Sequence, residues 1–420
     1  MITLTYQFKL KLSRQQIQDV ENILGVCRQV YNFALLERKD WLKSRKSPIN
    51  ACSIISEYII PVDAPYPNYY VQAKSLTIAK KSIESLKSAN AQVLQQTLKT
   101  LDKAFSDMKA KGNGFPRFKK VMRSFVFPAM LKNCLAGGKV KLPQLGWVKI
   151  RQSREYPTGF EAKQARIVKK ASGYYLMITF QSQEQCFEPV VGKISLGLDA
   201  GIESFVATSL GELVKAPRFL LNAQRKLKLL QRCLKHKNKG SNNWLKLQGK
   251  IARLHESVAN TRRDWHFKLA HSLCDLTDNI FVEDINFNSW SRGIVRKRSL
   301  ESGIGQFINE ILPYVSWKRN KFYLKVNKNG TSQECPSCHL MTGKKKLNQR
   351  IHNCQFCGHI ENRDTASAKV IEYRGNTAVG QPVSQNACGD VLTGIKQLTL
   401  FDLCHLYTSP SPRDRQKSRM

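Results

Sequence analysis

The sequence predicts an α+β, multidomain protein, and three observations carry that prediction. Apolar residues recur at helical spacing within residues 14–110, and short alternating strands occupy 112–190. From 191 onward, strand-like and helical stretches alternate. At 420 residues the chain has room for two or three domains, each with a core of its own. A hydrophobic content of 42% is ordinary for folded proteins and argues against bulk disorder.

The opening residues Met1–Leu10 alternate apolar and polar side chains, which predicts a strand rather than a secretory signal core. Ser13 and Gln16 stand at capping-box spacing. Ile17, Val20, Ile23, Leu24, Cys27, Val30, Tyr31 and Leu35 then follow a helical period. Pro61, Pro65 and Pro67 predict a loop over 61–70, and Val93, Leu94, Leu98, Leu101, Phe105 and Met108 predict a second helix. Strands are expected at Ser124–Pro128, Leu145–Arg151, Arg166–Lys170 and Tyr174–Phe180, the last two joined as a hairpin around Ser172-Gly173. Residues 1–190 are therefore expected to form a small β-barrel or sandwich with a helical insertion at about 14–110.

A second domain is expected from 191. Ile194–Asp199, Phe205–Thr208 and Glu212–Val214 predict a three-stranded meander, with Gly201 and Gly211 at its turns. Leu227, Leu230 and Leu234, then Leu247, Ile251, Leu254 and Val258, predict two amphipathic helices around a polar turn at 235–243. The second helix continues through Trp265, Leu269 and Leu273, and the apolar strand Ile280–Val282 follows. Residues 303–322 are again helical in pattern, and Tyr323–Asn327 is strand-like. The order is meander, helices, strand, helix, strand, inserted cysteine module, helix, which is compatible with a ribonuclease-H-like fold. The expected boundaries are 191–328 and 361–375 for this domain, 329–360 for the inserted module, and 376–420 for a disordered tail. No internal repeat is present, and no apolar run is long enough to span a bilayer.

Charge narrows the partners. Lys and Arg number 68 against 31 acids, a formal +37 with pI near 9.9. A chain this basic binds nucleic acid more readily than anything else, because neutralising phosphates releases condensed counterions. The competing readings are a ribosomal or a membrane-surface protein. Residues 215–268 hold fifteen Lys or Arg and two acids. A charged helical face is usually just solvated, but one sign dominating this far points to a phosphate backbone. The candidates are Lys235, Lys237 and Lys239 in the turn, and Arg262 and Arg263 on the second helix. Gly114-Phe115-Pro116-Arg117-Phe118-Lys119-Lys120 interleaves aromatics with cations, so Arg117, Lys119 and Lys120 are candidates beside rings that stack on bases or pack inward.

Four of the 12 cysteines form Cys335-x-x-Cys338 and Cys354-x-x-Cys357, separated by fifteen residues. Each pair can form a knuckle, and two knuckles make a closed, structural four-thiolate zinc site. The other eight cysteines have no framework spacing, which argues for a reducing, intracellular setting. Three acids complete the set. Asp199 ends the first strand of the second domain, Glu283 ends Ile280-Phe281-Val282, and Asp364 follows the cysteines near a helix start. Carboxylates at a sheet rim can hold two Mg²⁺ ions, which activate a water and neutralise the leaving oxygen in phosphodiester hydrolysis. Each acid has a plainer reading. Asp199 could be a turn or surface residue, Asp284 competes with Glu283, and Asp364 could be a helix N-cap.

With these residues in place, the chain closely resembles the TnpB (OrfB) family of transposon-encoded proteins, relatives of the compact type V CRISPR effectors. The likeness spans about 1–375. It is carried by the Gly-Phe-Pro-Arg-Phe-Lys-Lys run at 114–120, Leu142–Ile150, Leu198–Phe205, Val282–Asn286, Thr331–Cys338, Cys354–Gly358 and Asn362-Arg363-Asp364. The resemblance implies an RNA-guided, Mg²⁺-dependent double-strand DNA endonuclease that helps a mobile element persist. It implies a RuvC-like domain whose triad falls on Asp199, Glu283 and Asp364, and a zinc ribbon within it. It also implies a wedge-like barrel with a recognition insertion that binds a transposon-derived guide RNA and reads a short motif beside the target. The implied location is prokaryotic-type cytoplasm, at the nucleoid. The alternatives are guided binding without efficient cleavage and a DNA transposase; retention of all three acids argues against the first. Two departures stand out. His339 stands where the family usually has Gly, and Ala366 where it commonly has Asn. Residues 407–415 resemble translated sequencing-adaptor sequence and are given no structural role.

Overall fold

A computed structural model describes residues 2–46, 60–61, 63–131, 133–182, 189–290, 296–346 and 349–380. The chain divides into two compact units, residues 1–185 and 186–420, both of mixed α and β structure.

The first unit is built on a seven-stranded antiparallel sheet. Its strands are β1 (Ile2–Lys11), β2 (Ser124–Phe127), β3 (Leu135–Ala136), β4 (Lys139–Leu142), β5 (Gly146–Arg151), β6 (Glu161–Lys170) and β7 (Gly173–Ser182), in the order β2-β6-β7-β1-β5-β4-β3. Among the described residues the outer strands β2 and β3 do not pair. Strand β1 is central because its partners on both sides come from the far end of the unit: Phe8 opposes Leu176 in β7 and Leu10 opposes Ile150 in β5. The helices α1 (Arg14–Ser44), α2 (Tyr69–Ser82), α3 (Glu84–Lys87) and α4 (Ala91–Lys111) lie between β1 and β2 in the chain.

Helix α1 starts where the capping box forms, with the Ser13 hydroxyl accepting from Gln16 N–H and the Gln16 side chain accepting from Ser13 N–H. Its buried stripe includes Val20, Ile23, Leu24, Cys27, Tyr31 and Leu35, and faces Val93, Leu94, Leu98 and Leu101 of α4 within one core. Gly112, at φ +62°, ends α4 with the left-handed residue that suits a helix C-terminus. Helix α2 begins inside the predicted loop; it fully buries Gln72 and lays the partly buried Tyr69, Ala73, Leu76 and Ala79 on the core. Arg38, 1% exposed, donates to Gln72 (3.0 Å) and to Asp102 (3.0 Å), so a polar cluster ties α1, α2 and α4 together.

The second unit holds a five-stranded mixed sheet. The strands β8 (Ser195–Asp199), β9 (Val206–Thr208), β10 (Leu213–Val214), β11 (Asn279–Glu283) and β12 (Phe322–Val326) run in the order β10-β9-β8-β11-β12. The first three form an antiparallel meander; β8, β11 and β12 are parallel. Helices α5 (Phe219–Lys235) and α6 (Asn242–Leu276) form the long basic hairpin. The short helices α7 (Phe287–Trp290), α8 (Arg296–Ser302) and α9 (Ile304–Gln306), a π-helical segment at Phe307–Ile311, and α10 (Leu312–Lys318) bridge β11 and β12. The two-stranded module β13 (Ile351–Asn353) and β14 (Ile360–Asn362) precedes α11 (Arg363–Gly380), which runs past residue 375. The remainder of the expected tail, 381–420, lies outside the described residues.

Two glycines set the approach of α11 to the sheet. A methyl group at Gly197 in β8 would overlap the Ala368 carbonyl of α11, and one at Gly375 of α11 would overlap the Phe281 ring of β11. The helix therefore lies directly on the two strands that end in Asp199 and Glu283. Among the described residues no helix is long and apolar enough to cross a membrane.

Candidate functional site

Asp199 and Glu283 reach the same edge of the second unit's sheet because β8 and β11 are parallel neighbours, with Leu198 opposite Val282. Helix α11 brings Asp364 to them. Asn362 accepts from Asp364 N–H (2.9 Å) and Thr365 N–H (3.5 Å), so Asn362 caps this helix and the Asp364 side chain is not consumed as the cap. The adjacent acids also differ in their contacts. Glu283 accepts a hydrogen bond from the Thr331 hydroxyl, whereas Asp284 is exposed and pairs with Lys325 at 3.6 Å.

The electrostatics fit one shared site. Burial, then the negative charges of Glu283 and Asp364, hold the Asp199 carboxyl well above its ordinary range, and Arg363 opposes that push. Burial also raises Glu283, against the Thr331 hydrogen bond and the nearby charges of Arg374 and Lys328. An Asp199 carboxylate disfavoured by burial and by the charges of Glu283 and Asp364 is one that a divalent cation would relieve, and oxygen donors suit a hard ion such as Mg²⁺.

The cysteines form a second centre. Cys335 and Cys357 sulfurs lie 3.6 Å apart, as do those of Cys338 and Cys354, and all four ligand atoms fall within 4.8 Å of one another. Tetrahedral Zn–S bonds of ~2.3 Å require sulfurs ~3.8 Å apart, so the array fits one closed zinc site. His339 occupies the position after Cys338 at φ +58°, the counterpart of Gly358 after Cys357 at φ +71°. The imidazole is held in that left-handed conformation by stacking on Tyr373 (3.6 Å between centroids) and by a 3.1 Å contact with Glu334. Ala366, the second departure, is buried at 2% exposure on the first turns of α11.

Of the cationic candidates, Lys235, Lys237 and Lys239 are exposed together at the tip of the α5–α6 hairpin. Arg262 and Arg263 stand ~30 Å further along α6 by helical rise. Arg262 donates to the carbonyls of Leu300 (2.9 Å) and Glu301 (3.3 Å), and Arg263 lies over the Phe267 ring, so both have packing roles. In the first unit Pro116 is buried while Arg117, Lys119 and Lys120 are exposed. Phe115 packs edge-on to Phe105, the inward reading in part, while Phe115 and Phe118 stay 40% and 45% exposed with Lys39 over their rings. Asn32 clamps both backbone groups of Lys119 (2.7 and 3.0 Å), which fixes the run against α1.

Three comparisons bear on this arrangement. A family profile described as "Probable transposase" (OrfB) matches residues 181–292, one described as "Cas12f1-like, TNB domain" matches 306–371, and an OrfB "Helix-turn-helix domain" matches 1–47. The chain therefore carries domains of the OrfB/TnpB family. Its N-terminal 47 residues nevertheless contain one strand and one uninterrupted helix, α1, among those described. "Putative RNA-guided DNA endonuclease InsQ" of Escherichia coli (strain K12) is 29% identical over 408 residues, covering 92% of this chain and 94% of that protein. A "Putative RNA-guided DNA endonuclease" of Streptomyces pristinaespiralis is 24% identical over 392 residues, covering 92% and 90%. The fold is similar to the protein in "Cryo-EM structure of the Cas12f1-sgRNA-target DNA complex", with a TM-score of 0.52 at 15% identity over 85% of this chain and 83% of that one.

Residue spacing left out Thr331, Lys328, Arg374 and Gly197. Thr331 lies in the Thr-Ser-Gln-Glu-Cys run that carries the family likeness, but nothing in its spacing marks a contact with an acid forty-eight residues away.

Proposed function

We propose that this chain is an RNA-guided, Mg²⁺-dependent double-stranded DNA endonuclease of a mobile element. The observation that carries the reading is the meeting of Asp199, Glu283 and Asp364 from β8, β11 and α11. Its relatives over nine-tenths of the chain, named RNA-guided DNA endonucleases, support it. In this reading the β10-β9-β8-β11-β12 sheet with α11 is an RNase H-like (RuvC-like) domain, 191–328 and 361–375, and 329–360 is its zinc ribbon. The antiparallel sheet of 1–190 is a wedge-like barrel whose insertion at about 14–110 binds the guide RNA and reads the motif beside the target.

Asp199, Glu283 and Asp364 would hold two Mg²⁺ ions, and Cys335, Cys338, Cys354 and Cys357 one Zn²⁺. Bound at the carboxylates, the Mg²⁺ ions would activate water and neutralise the leaving oxygen. Arg363 favours the ionised, ligating form of Asp199. Glu283 presents a carboxylate steadied by Thr331, and the glycine contacts of α11 keep Asp364 at the sheet edge. The exposed Arg117, Lys119, Lys120, Lys235, Lys237 and Lys239 would meet phosphate backbones, which guide pairing leaves free of sequence readout.

The test uses purified full-length protein, its own transcript and a matching duplex. Guide- and Mg²⁺-dependent cutting is expected. Guided binding without cutting would leave a binding module, and strand-transfer products from transposon ends without any guide would make it a transposase.

A further inference from the structure

We propose that Thr331 is a positioning residue for cleavage: its hydroxyl fixes one Glu283 oxygen, leaving the other to bind metal. The inference rests on the nuclease reading above and concerns a residue that touches Glu283, not the substrate.

Thr331 is 4% exposed and donates to Glu283 Oε1, while its other acceptor, the Lys328 carbonyl, is more distant at 3.3 Å. A buried hydroxyl has one proton to give, and a carboxylate is the stronger acceptor. Glutamate needs this help more than aspartate does. Its longer side chain has more rotamers, so a strand end fixes the Glu283 backbone but not its carboxylate.

The loop that carries Thr331 is itself held from two sides. Arg374 of α11 donates to the carbonyls of Asn327 (2.9 Å) and Asn329 (2.8 Å) and to Glu334 Oε2 (2.6 and 3.0 Å). The other oxygen of Glu334 meets His339, whose ring lies on Tyr373 of α11. Lys345 of the cysteine module donates to the Ser332 carbonyl at 2.9 Å. The zinc module, the Asp364 helix and the Glu283 side chain thus share one loop, and Thr331 is the member that touches the acid.

The experiment compares full-length, zinc-loaded parent with Thr331→Val, which keeps the shape and removes the hydroxyl, and Thr331→Ser, which keeps the hydroxyl. Mn²⁺ binding is read by electron paramagnetic resonance, with Asp199→Asn as the blank. Thr331→Val should weaken Mn²⁺ binding by roughly ten-fold, the scale for losing an outer hydrogen-bond partner of a metal ligand. The Mg²⁺ midpoint for cutting should rise in parallel, with guided target binding unchanged, and Thr331→Ser should restore both. Glu283→Gln supplies a control against misfolding: adding Thr331→Val to it should weaken Mn²⁺ no further. Parent-like binding by Thr331→Val, failure of serine to rescue, or additivity with Glu283→Gln overturns the proposal. If the parent binds no more Mn²⁺ than the blank, the carboxylate metal site itself is wrong, and the role of Thr331 goes with it.

Discussion

The four thiolates and the three carboxylates of the second unit are assembled in opposite ways. The cysteines come from one short stretch, Cys335 to Cys357, and two local turns aim them at a common point. The carboxylates come from two strands and a helix spread from Asp199 to Asp364, and they meet only when the sheet and α11 have packed. The first set is spaced as a zinc ion would require, with paired sulfurs 3.6 Å apart. The second is electrostatically unfavourable by itself, since burial and then the charges of Glu283 and Asp364 push Asp199 upward. A locally encoded centre adds to folding; one assembled over distance draws on folding that other contacts supply.

Breaking the local centre should have the largest effect. Structural zinc contributes on the order of 10 kcal/mol to small zinc modules. Cys354→Ser is therefore expected to lose the ion and to open residues 329–362 to protease. Zinc stoichiometry and limited proteolysis check this, and an unchanged zinc content would refute the four-thiolate site.

Breaking the distant centre should have the opposite sign on stability. Asp199→Asn removes a proposed metal ligand, one worth several kcal/mol of charge stabilisation, so guided cutting should fall ~10³-fold or more while target binding persists. In Mg²⁺-free buffer the same variant should melt higher than the parent. A carboxyl raised by folding binds its proton more tightly when folded, so it destabilises the protein once pH exceeds the unfolded value and most above the folded one. The difference should therefore grow as pH rises through that window and vanish below the ordinary carboxylate range. A parent that melts higher at neutral pH would contradict the crowding of these acids.

Gly197→Ala tests how α11 is held. Its added methyl must displace the Ala368 backbone, and overpacking of this kind costs about 1–3 kcal/mol. Urea melts should show that loss with zinc retained; a silent substitution would mean the helix is not seated on β8. The smallest effect is expected at the zinc knuckle. His339→Gly relieves a left-handed residue, worth about 1 kcal/mol, and loses ring stacking of about 0.5–1.5 kcal/mol. The two nearly cancel, so melting and zinc content should stay close to the parent's. A large loss would make His339 a specific support of the module rather than a tolerated replacement for glycine.

Legibility follows the same division. The capping box at Ser13, the apolar stripes of α1 and α4 and the cysteine knuckles depend on residues a few positions apart, and each was readable for that reason. Helix α2 was hidden because its stripe of Tyr69, Ala73, Leu76 and Ala79 is short, only partly buried and centred on the polar Gln72, and it follows directly on three prolines. The π-helical turn at Phe307–Ile311 lies within a stretch whose apolar spacing is simply helical. Glu283 and Asp284 are adjacent acids with the same local credentials, and only Thr331 and Lys325, brought from β12 and the loop beyond it, separate them.

The strand and helix order of the second unit, the basic charge and the paired Cys-x-x-Cys spacing were therefore legible in the sequence alone, because short-range spacing and composition suffice to specify them. The tertiary structure decided which acid of the 283–284 pair turns toward Asp199, which carbonyls Arg262 donates to, and which hydroxyl reaches Glu283. These depend on close approaches between segments far apart in the chain, set at Gly197 and Gly375 by the absence of a side chain. No local pattern records such a distance.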